Sequence, residues 1–203
     1  MIGYSSLAAS HVGASPLARR ESIHLGIALA ALSLPWLFSS AWPVFVLVGA
    51  ALAGLALLRA SRWHGSDVRA ALREMRGEFW FACGLGLVFL WSATEPVAYC
   101  IAILLFALAD TAAALVGRRY GRAQRMLGGA RKSAAGSLAF FATALAVVGC
   151  GLYAGAGLRP GEALAAALWV ATLTTALEAA LADGLDNLFV PLGALAALEL
   201  TAL

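Results

Sequence analysis

Apolar segments separated by short polar turns follow one another along almost the whole chain. Each is about as long as a helix that crosses the roughly 30 Å hydrocarbon core of a membrane. Alanine, leucine and glycine are frequent in them, which suits closely packed membrane helices. The pattern predicts an all-α, polytopic transmembrane helical bundle with about seven spans. The predicted spans cover residues 23–38, 43–58, 79–93, 96–117, 133–153, 163–182 and 188–202.

The last predicted span is marginal in length and carries Glu199 near its end. The alternative is therefore an arrangement of six spans in which this segment is re-entrant. Both arrangements place the earlier spans identically.

The composition agrees with a membrane protein, because 62% of the 203 residues are hydrophobic and only 12% are charged. Soluble domains are about 45 to 50% apolar. No soluble domain is left over, so we expect a tail at residues 1–20 and one transmembrane domain over residues 21–203. Cys83, Cys100 and Cys150 lie singly in apolar runs, which argues against a disulfide framework or a zinc site.

The basic residues lie in the loops and indicate the orientation of the chain. Every Lys and Arg except Arg159 falls in the tail, in the segment 59–76 or in the segment 118–132. Because cytosolic loops retain Lys and Arg, the amino terminus and both segments are predicted to be cytosolic. The net charge of +3 does not form one continuous face, so no nucleic-acid partner is expected.

A short amphipathic segment lies between the second and third predicted spans. Val68, Leu72 and Met75 recur at helical spacing between arginines, within residues 59–78. Arginine side chains beside an apolar stripe predict a short helix that lies on an anionic lipid surface.

Besides Glu199 near the end of the marginal last span, two acidic residues lie clearly inside predicted spans, where an ionisable group costs a few kcal/mol and usually faces a cavity or a partner. Asp110 lies roughly 10 Å below the cytosolic end of its helix, and Glu178 lies at a comparable depth. The alternative is a structural hydrogen bond from a protonated acid to a threonine or a backbone carbonyl. Both acids belong to stripes whose faces are expected to approach each other closely. One stripe comprises Asp110, Ala113, Ala114, Gly117 and Gly121, and the other comprises Thr174, Thr175 and Glu178.

Lys132 is the only lysine in a chain that otherwise uses arginine. It follows a glycine-rich segment at residues 128–131 and precedes Ser133, which opens the fifth predicted span. A flexible ammonium beside a hydroxyl and a helix N-terminus is suited to phosphate binding. Taken alone, Lys132 is one more positive residue on the cytosolic side, but its position in this segment favours the phosphate interpretation.

Asp186 and Asn187 lie at the predicted cytosolic turn between the last two spans, close to Asp183. Their side chains supply the hard oxygen ligands that Mg²⁺ takes. The alternative for Asp186 is capping of the final helix. His24 opens the first span on the same side and is interpreted as a residue that supports the site.

At these residues the sequence resembles the CTP-dependent lipid-alcohol kinases, a family that includes phytol kinase, dolichol kinase and the fungal type of diacylglycerol kinase. The family's acidic motif followed by G-x-x-x-G resembles the segment from Asp110 to Gly121. Its K-S-x-x-G-S motif resembles residues 132–137, and its late glutamate followed by D-N-x-x-V-P-L resembles Glu178 and residues 186–192.

Two further segments are similar to weaker signatures of the family. The early R-K-x-x-H signature is similar to residues 20–24, and an aromatic-rich segment of the family is similar to residues 77–80. Ala109 and Glu21 depart from the glycine and the lysine that are usual at those positions.

The resemblance implies transfer of a phosphoryl group from CTP, with magnesium, to the hydroxyl of a membrane lipid alcohol such as phytol, a prenol, dolichol or diacylglycerol. The implied enzyme is integral to a bacterial inner membrane, with its active site facing the cytosol. Expected nucleotide-binding residues are Gly117, Arg118, Arg119, Gly121, Arg131, Lys132, Ser133, Gly136, Ser137 and Asn187. Expected catalytic residues are Asp110, Lys132, Glu178 and Asp186; metal ligands are Asp110, Asp186 and Asn187; supporting residues are Arg20, His24 and Glu78. Among them, Glu178 is the candidate that accepts or orients the alcohol proton.

Two other functions are compatible with parts of the pattern. A CTP-dependent lipid-phosphate cytidylyltransferase uses the same nucleotide in a similar setting, although its aspartate-rich late signature differs from the motif here. A proton- or cation-coupled transporter would use Asp110 and Glu178 as a path, but the outer halves of these spans offer little beyond Glu95 and Glu199.

Overall fold

The structure is a computed structural model that describes residues 25–60, 68–92, 95–121, 124–127 and 130–201. Within these ranges the chain forms seven helices and one short β-hairpin. The helices are α1 Leu25–Leu37, α2 Ala41–Ala60, α3 Val68–Ser92, α4 Pro96–Tyr120, α5 Ala134–Gly155, α6 Pro160–Ala180 and α7 Asp186–Glu199. The strands are β1 Gln124–Leu127 and β2 Ala130–Ser133. Wider π-helical turns lie inside α4 at Leu105–Asp110 and at the end of α5 at Gly151–Gly155.

Three of the helices, α4, α5 and α6, are long and apolar enough to cross a membrane. Apolar but shorter helical segments occur in α1, in α2 at Ala41–Gly54 and in α3 at Gly77–Ser92. Trp36 and Trp42 are among many large apolar side chains that are exposed on the outside of the helices. Such a surface is suited to lipid, and the predicted class of a helical membrane protein is confirmed. The number of spans and the orientation stay predictions.

Helix α3 differs from its prediction. The sequence pattern separates a surface helix within residues 59–78 from a span at 79–93, whereas Val68–Ser92 is one continuous helix. Proline is absent from this stretch, and Gly77 alone costs a helix only about 1 kcal/mol. That cost is too small to end the helix, so the polar and apolar parts share one axis.

The β-hairpin is also a departure from the prediction, which treated residues 118–132 as a flexible loop in an all-α protein. Strands β1 and β2 pair antiparallel, with Gln124 opposite Ser133 and Leu127 opposite Ala130. The backbone hydrogen bonds of this pair hold Lys132 in a defined direction. Residues 124–127 and 130–133 are therefore paired strands rather than parts of a flexible loop.

The last four helices form the main core. Helix α5 packs against α4 and α6, and α7 packs against α6 and the first half of α4, so the four helices close into a bundle. Small side chains such as Ala109, Ala144, Ala167 and Ala194 are fully buried between them. Packing through small residues lets the helix backbones approach closely, which is the usual means of association in membranes.

Helices α1, α2 and α3 cover the side of this bundle that is formed by α4 and α7. Val88 and Phe89 of α3 pack there around Tyr99 of α4 and Leu195 of α7. The buried Tyr99 hydroxyl donates a hydrogen bond to the carbonyl oxygen of Ala31 at 2.8 Å, which ties α1 to α4. The N-terminal helices thus form a second layer, and α4 and α7 belong to both layers.

Helix α4 approaches the start of α5 through the small-residue stripe that the sequence indicates. A Cβ atom added to Gly136 would lie 2.9 Å from the carbonyl oxygen of Ala113 and 3.4 Å from Cα of Gly117. Close packing of this stripe is confirmed, but the face opposite it belongs to α5. The expected neighbour was the Thr174–Glu178 face of α6.

We expect the substitution Gly136→Ala to destabilise the protein by about 1 to 3 kcal/mol, because its methyl group would collide with backbone atoms that cannot turn aside. The matched control is Gly49→Ala in α2, where no atom lies within 4 Å of the added methyl group. Since alanine favours a helix over glycine, Gly49→Ala should gain up to about 1 kcal/mol. Thermal unfolding in detergent measures both, and equal stability of the two variants would contradict the packing argument.

Candidate active site

A lysine held between two carboxylates lies at one end of the four-helix bundle. Lys132 Nζ donates hydrogen bonds to Glu178 Oε1 at 2.6 Å and to Asp186 Oδ2 at 2.8 Å. The three side chains come from β2, from the last turn of α6 and from the first residue of α7. They are 13%, 5% and 15% exposed, so the cluster is sunk into the protein but still reaches its surface.

Glu178 is held on both of its oxygens. While Oε1 accepts from Lys132, Oε2 accepts a hydrogen bond from the Ser137 hydroxyl at 3.2 Å. Ser137 lies in the first turn of α5. Glu178, counted as a whole residue, is only 4% exposed. A carboxylate with two fixed donors is well oriented, and the arrangement gives Ser137 a direct structural link to the acid.

The turn between α6 and α7 brings Asp186 back towards Lys132. Asp183 and Gly184 adopt positive φ angles of 59° and 81°, which glycine adopts freely and aspartate tolerates. Asp186 then begins α7, and its Oδ1 accepts from the backbone N–H of Asn187 at 3.2 Å while Oδ2 accepts from Lys132. The residue therefore contacts its own helix start and the lysine at once, so the capping alternative does not describe it fully.

Asn187 connects the site to α3. Its Nδ2 donates a hydrogen bond to the carbonyl oxygen of Gly77 at 2.9 Å, and the residue is 7% exposed. The two helices are close there, since a Cβ added to Gly84 would lie 2.8 Å from the backbone oxygen of Asn187. With the amide nitrogen committed to Gly77, Oδ1 is the atom with which Asn187 would meet a metal or a ligand.

Ser133 occupies the junction between β2, α4 and α5. As the N-cap of α5 it accepts a hydrogen bond from the backbone N–H of Gly136 at 3.1 Å. A Cβ added to Gly117 or Gly121 would come within 2.9 Å or 2.7 Å of its hydroxyl oxygen. The expected nucleotide-binding glycines thus lie around the start of α5, where they make room for this cap; their contact with a nucleotide stays a prediction.

The charge balance of the cluster favours a permanent ammonium. Burial lowers the pKa of Lys132, but the attraction of Asp186 and Glu178 and the hydrogen bonds to both outweigh it, so the pKa is raised above its usual value. Lys132 stays charged at physiological pH. One positive charge then faces two carboxylates, and the cluster can attract a further cation.

The remaining predicted residues near this end lie mainly on α4. Asp110 is half-buried at the end of the π-helical turn, a feature often found at functional sites. Arg118 and Arg119 are exposed in the last turn, where Nε of Arg119 donates to the hydroxyl of Tyr120 at 3.0 Å. Asp110 therefore lies further along α4 from this end of the bundle than the two arginines of its last turn.

The three predicted metal ligands carry carboxylate or amide oxygens. Among the residues that the structure describes, no three His, Cys, Asp or Glu side chains are grouped as a metal site. Magnesium bound with a nucleoside triphosphate needs only one or two carboxylates beside the phosphate oxygens. Asp110, Asp186 and the Oδ1 atom of Asn187 are donors of the kind that Mg²⁺ takes.

Two of the expected site residues lie outside the part of the chain that the structure describes, and a third is described only in its backbone. Arg20 and His24 lie outside the described residues, and the side chain of Arg131 does too, although its backbone belongs to β2. Glu78 is half-buried in α3, directly after Gly77.

Sequence reasoning missed two features of the site. The hairpin had a signal, because two four-residue strands are separated by Gly128-Gly129, and a two-residue Gly-Gly connection is typical of a β-hairpin. The bond from Asn187 to Gly77 had none, since it joins a side chain to the backbone of a helix far away in the chain.

The chain is similar in sequence to a phytol kinase. Phytol kinase from Synechocystis sp. is 32% identical over 176 residues, which cover 86% of this chain and 75% of the relative. No family model and no solved structure matches the chain.

Proposed function

Because the chain belongs to the phytol kinase family of lipid kinases, we propose that it transfers the γ-phosphate of CTP to the hydroxyl of a membrane-dissolved lipid alcohol. Phytol, a prenol, dolichol and diacylglycerol are the substrates of this class. The observation that carries the proposal is the meeting of Lys132, Glu178 and Asp186, which lie in three separate segments, at one end of the bundle. Phosphoryl transfer uses cations to neutralise the phosphates and acids to hold metal ions or to orient the attacking hydroxyl, and this half-enclosed site offers both kinds of group.

Lys132 is proposed to bind the phosphates of the nucleotide. Phosphoryl transfer needs charge neutralisation and in-line positioning more than covalent participation of the protein. In the free protein, Glu178 and Asp186 hold the ammonium within 2.8 Å, so it is pre-positioned before the nucleotide arrives. Arg118 and Arg119, exposed at the end of α4, would add positive charge on the nucleotide side.

Glu178 is proposed to accept or orient the proton of the lipid hydroxyl. Among the charged residues whose burial the structure describes it is the most buried, at 4% exposure, and Ser137 fixes the direction of its Oε2 atom. A positioned carboxylate can take the proton as the oxygen attacks the γ-phosphate. The lysine beside it then stays available to the phosphate.

Asp110, Asp186 and Asn187 are the residues that would hold Mg²⁺ with the triphosphate. When bound, the metal neutralises negative charge on the phosphate oxygens. Asp186 accepts from Lys132 on Oδ2 and from the backbone N–H of Asn187 on Oδ1, and each oxygen keeps a second lone pair with which it could bind the metal.

The location follows from the lipid substrate. A lipid alcohol keeps its hydroxyl near the headgroups and its tail in the hydrocarbon, so the nucleotide has to reach it at the membrane surface. The end of the bundle that holds Lys132 also carries Arg118 and Arg119, and basic residues favour the cytosolic side. We therefore place the site at the cytosolic face of a bacterial inner membrane.

The decisive experiment supplies CTP labelled either on the γ-phosphate or on the α-phosphate to purified protein, once with each lipid alcohol and once with the corresponding lipid phosphate. A kinase transfers the γ-label to the lipid and leaves the α-label in the nucleotide. Transfer of the α-label would instead identify a cytidylyltransferase. The absence of label from every lipid, with ATP and UTP as well as CTP, would overturn the proposed activity.

A further inference from the structure

The β-hairpin places Arg125 directly opposite Lys132, with Arg131 opposite Met126 in the next pair. Residues that are directly opposite in an antiparallel pair lie on the same face, and successive residues along a strand alternate between faces. By register, Arg125 belongs to the face of Lys132. Arg131 belongs to the other face, together with Ser133.

The two faces of the hairpin are turned to different neighbours. Ser133 lies against α4, where its hydroxyl oxygen is the atom that an added Cβ on Gly117 would meet at 2.9 Å. Lys132 lies against α6 and α7, through its bonds to Glu178 and Asp186. The face that holds Arg125 and Lys132 is therefore the one that serves the proposed active site.

The acidic residues near Lys132 can compensate the repulsion between Arg125 and Lys132. Two cations directly opposite each other in a sheet repel, and the pair is destabilising unless anions lie against it. Here one lysine faces two carboxylates, Glu178 and Asp186, so the face can accept a second positive charge and become neutral. The register supplies that charge at Arg125.

We propose that Arg125 is a further phosphate-binding residue, which together with Lys132 forms a two-cation clamp on the triphosphate of the nucleotide. This rests on the proposed function, since it names a contact within the same site. Lysine acts as a point charge, whereas the planar guanidinium of arginine binds two phosphate oxygens at once. Of the two arginines in the described strands, Arg125 and Arg131, the register places only Arg125 on the face of Lys132.

Binding of labelled CTP to purified protein tests the clamp. Arg125→Ala should raise the Kd about tenfold or more, because a charged hydrogen-bonding partner of the phosphates is lost. Arg131→Ala, which removes an arginine from the opposite face, should raise it less. Arg159→Ala is the matched control at the far end of α6, where Arg159 pairs with Glu162; it should leave the Kd unchanged.

The inference would be overturned by an unchanged Kd for Arg125→Ala, by an equally large loss in Arg131→Ala, or by no binding of CTP to the wild-type protein. Inorganic triphosphate, which lacks the base, should lose affinity by the same factor as CTP, and a loss confined to CTP would also overturn the clamp. Arg125→Lys, which keeps the charge, should recover part of the affinity and shows that the hairpin still folds. If the wild-type protein binds CTP but phosphorylates no lipid, the proposed function fails while the comparison of variants still decides the role of Arg125.

Discussion

Replacing Lys132 by alanine is expected to lower the rate of lipid phosphorylation by about 10²- to 10³-fold, the usual cost of losing one preorganised positive group at a transferring phosphate. The ammonium is held by Glu178 and Asp186 at 2.6 and 2.8 Å, so no neighbouring cation can take its exact place without rearrangement of both acids. Initial rates with γ-labelled CTP and a lipid alcohol measure the effect. Wild-type rates in a folded Lys132→Ala protein would contradict the assignment.

A loss of folding has to be separated from a loss of chemistry in this variant, because the substitution leaves two carboxylates facing each other. Removing one partner of a buried ion pair is usually strongly destabilising. The double variant Lys132→Ala with Asp186→Asn restores the charge balance and should unfold at a higher temperature than the single variant. Its activity should remain as low, since the phosphate-binding group is still absent.

Replacing Glu178 by glutamine is expected to lower kcat by about 10²- to 10⁴-fold, the range for the loss of a general base. Glutamine has nearly the same shape and can still accept a hydrogen bond from Lys132, but its amide does not take up the proton of the lipid hydroxyl. The KM for CTP should change much less than kcat, because the carboxylate is assigned to the alcohol and not to the nucleotide. Steady-state kinetics with both substrates varied separates the two constants.

Glu162→Gln is the matched control for this substitution. Glu162 is an exposed carboxylate at the start of the same helix, where it pairs with Arg159, and its loss should leave kcat unchanged. Ser137→Ala removes one of the hydrogen bonds to Glu178 and should lower kcat by a smaller factor than Glu178→Gln. A kcat for Glu178→Gln close to that of the wild type would remove the proposed base.

The individual residues of the site could be predicted from the sequence because each differs in charge or residue type from the residues around it. Glu178 is an acid within an apolar run, and Lys132 is the only lysine. Charged groups are expensive inside a membrane protein, so a retained one has a partner or a function. The expectation that groups distant in the chain gather at one end holds for Lys132, Glu178 and Asp186, which the structure joins by direct bonds.

The contacts that these residues make with other helices were harder to predict from the sequence. The glycines at 117, 121 and 136 lie where an added Cβ atom would meet Ser133 or nearby backbone, which the sequence does not indicate, while their contact with a nucleotide stays a prediction. The amide nitrogen of Asn187 donates to the carbonyl oxygen of Gly77, a partner that the sequence does not indicate, while the contact of Asn187 with a metal stays a prediction. In both cases the residue type indicates a close approach or a polar contact without indicating which element supplies it.

The sequence by itself determined that this is a helical membrane protein. It also determined which side chains are too polar to lie in lipid without a partner. Both follow from the cost of transferring charge and bare backbone into hydrocarbon, which depends on local composition alone. Only the tertiary structure decided that α5 lies against the stripe of α4, and that Lys132 reaches α6 and α7 from a hairpin. Spans that are apolar on every side carry no periodicity that selects a neighbour, so the choice is made by how small residues such as Gly136 allow the helices to fit together.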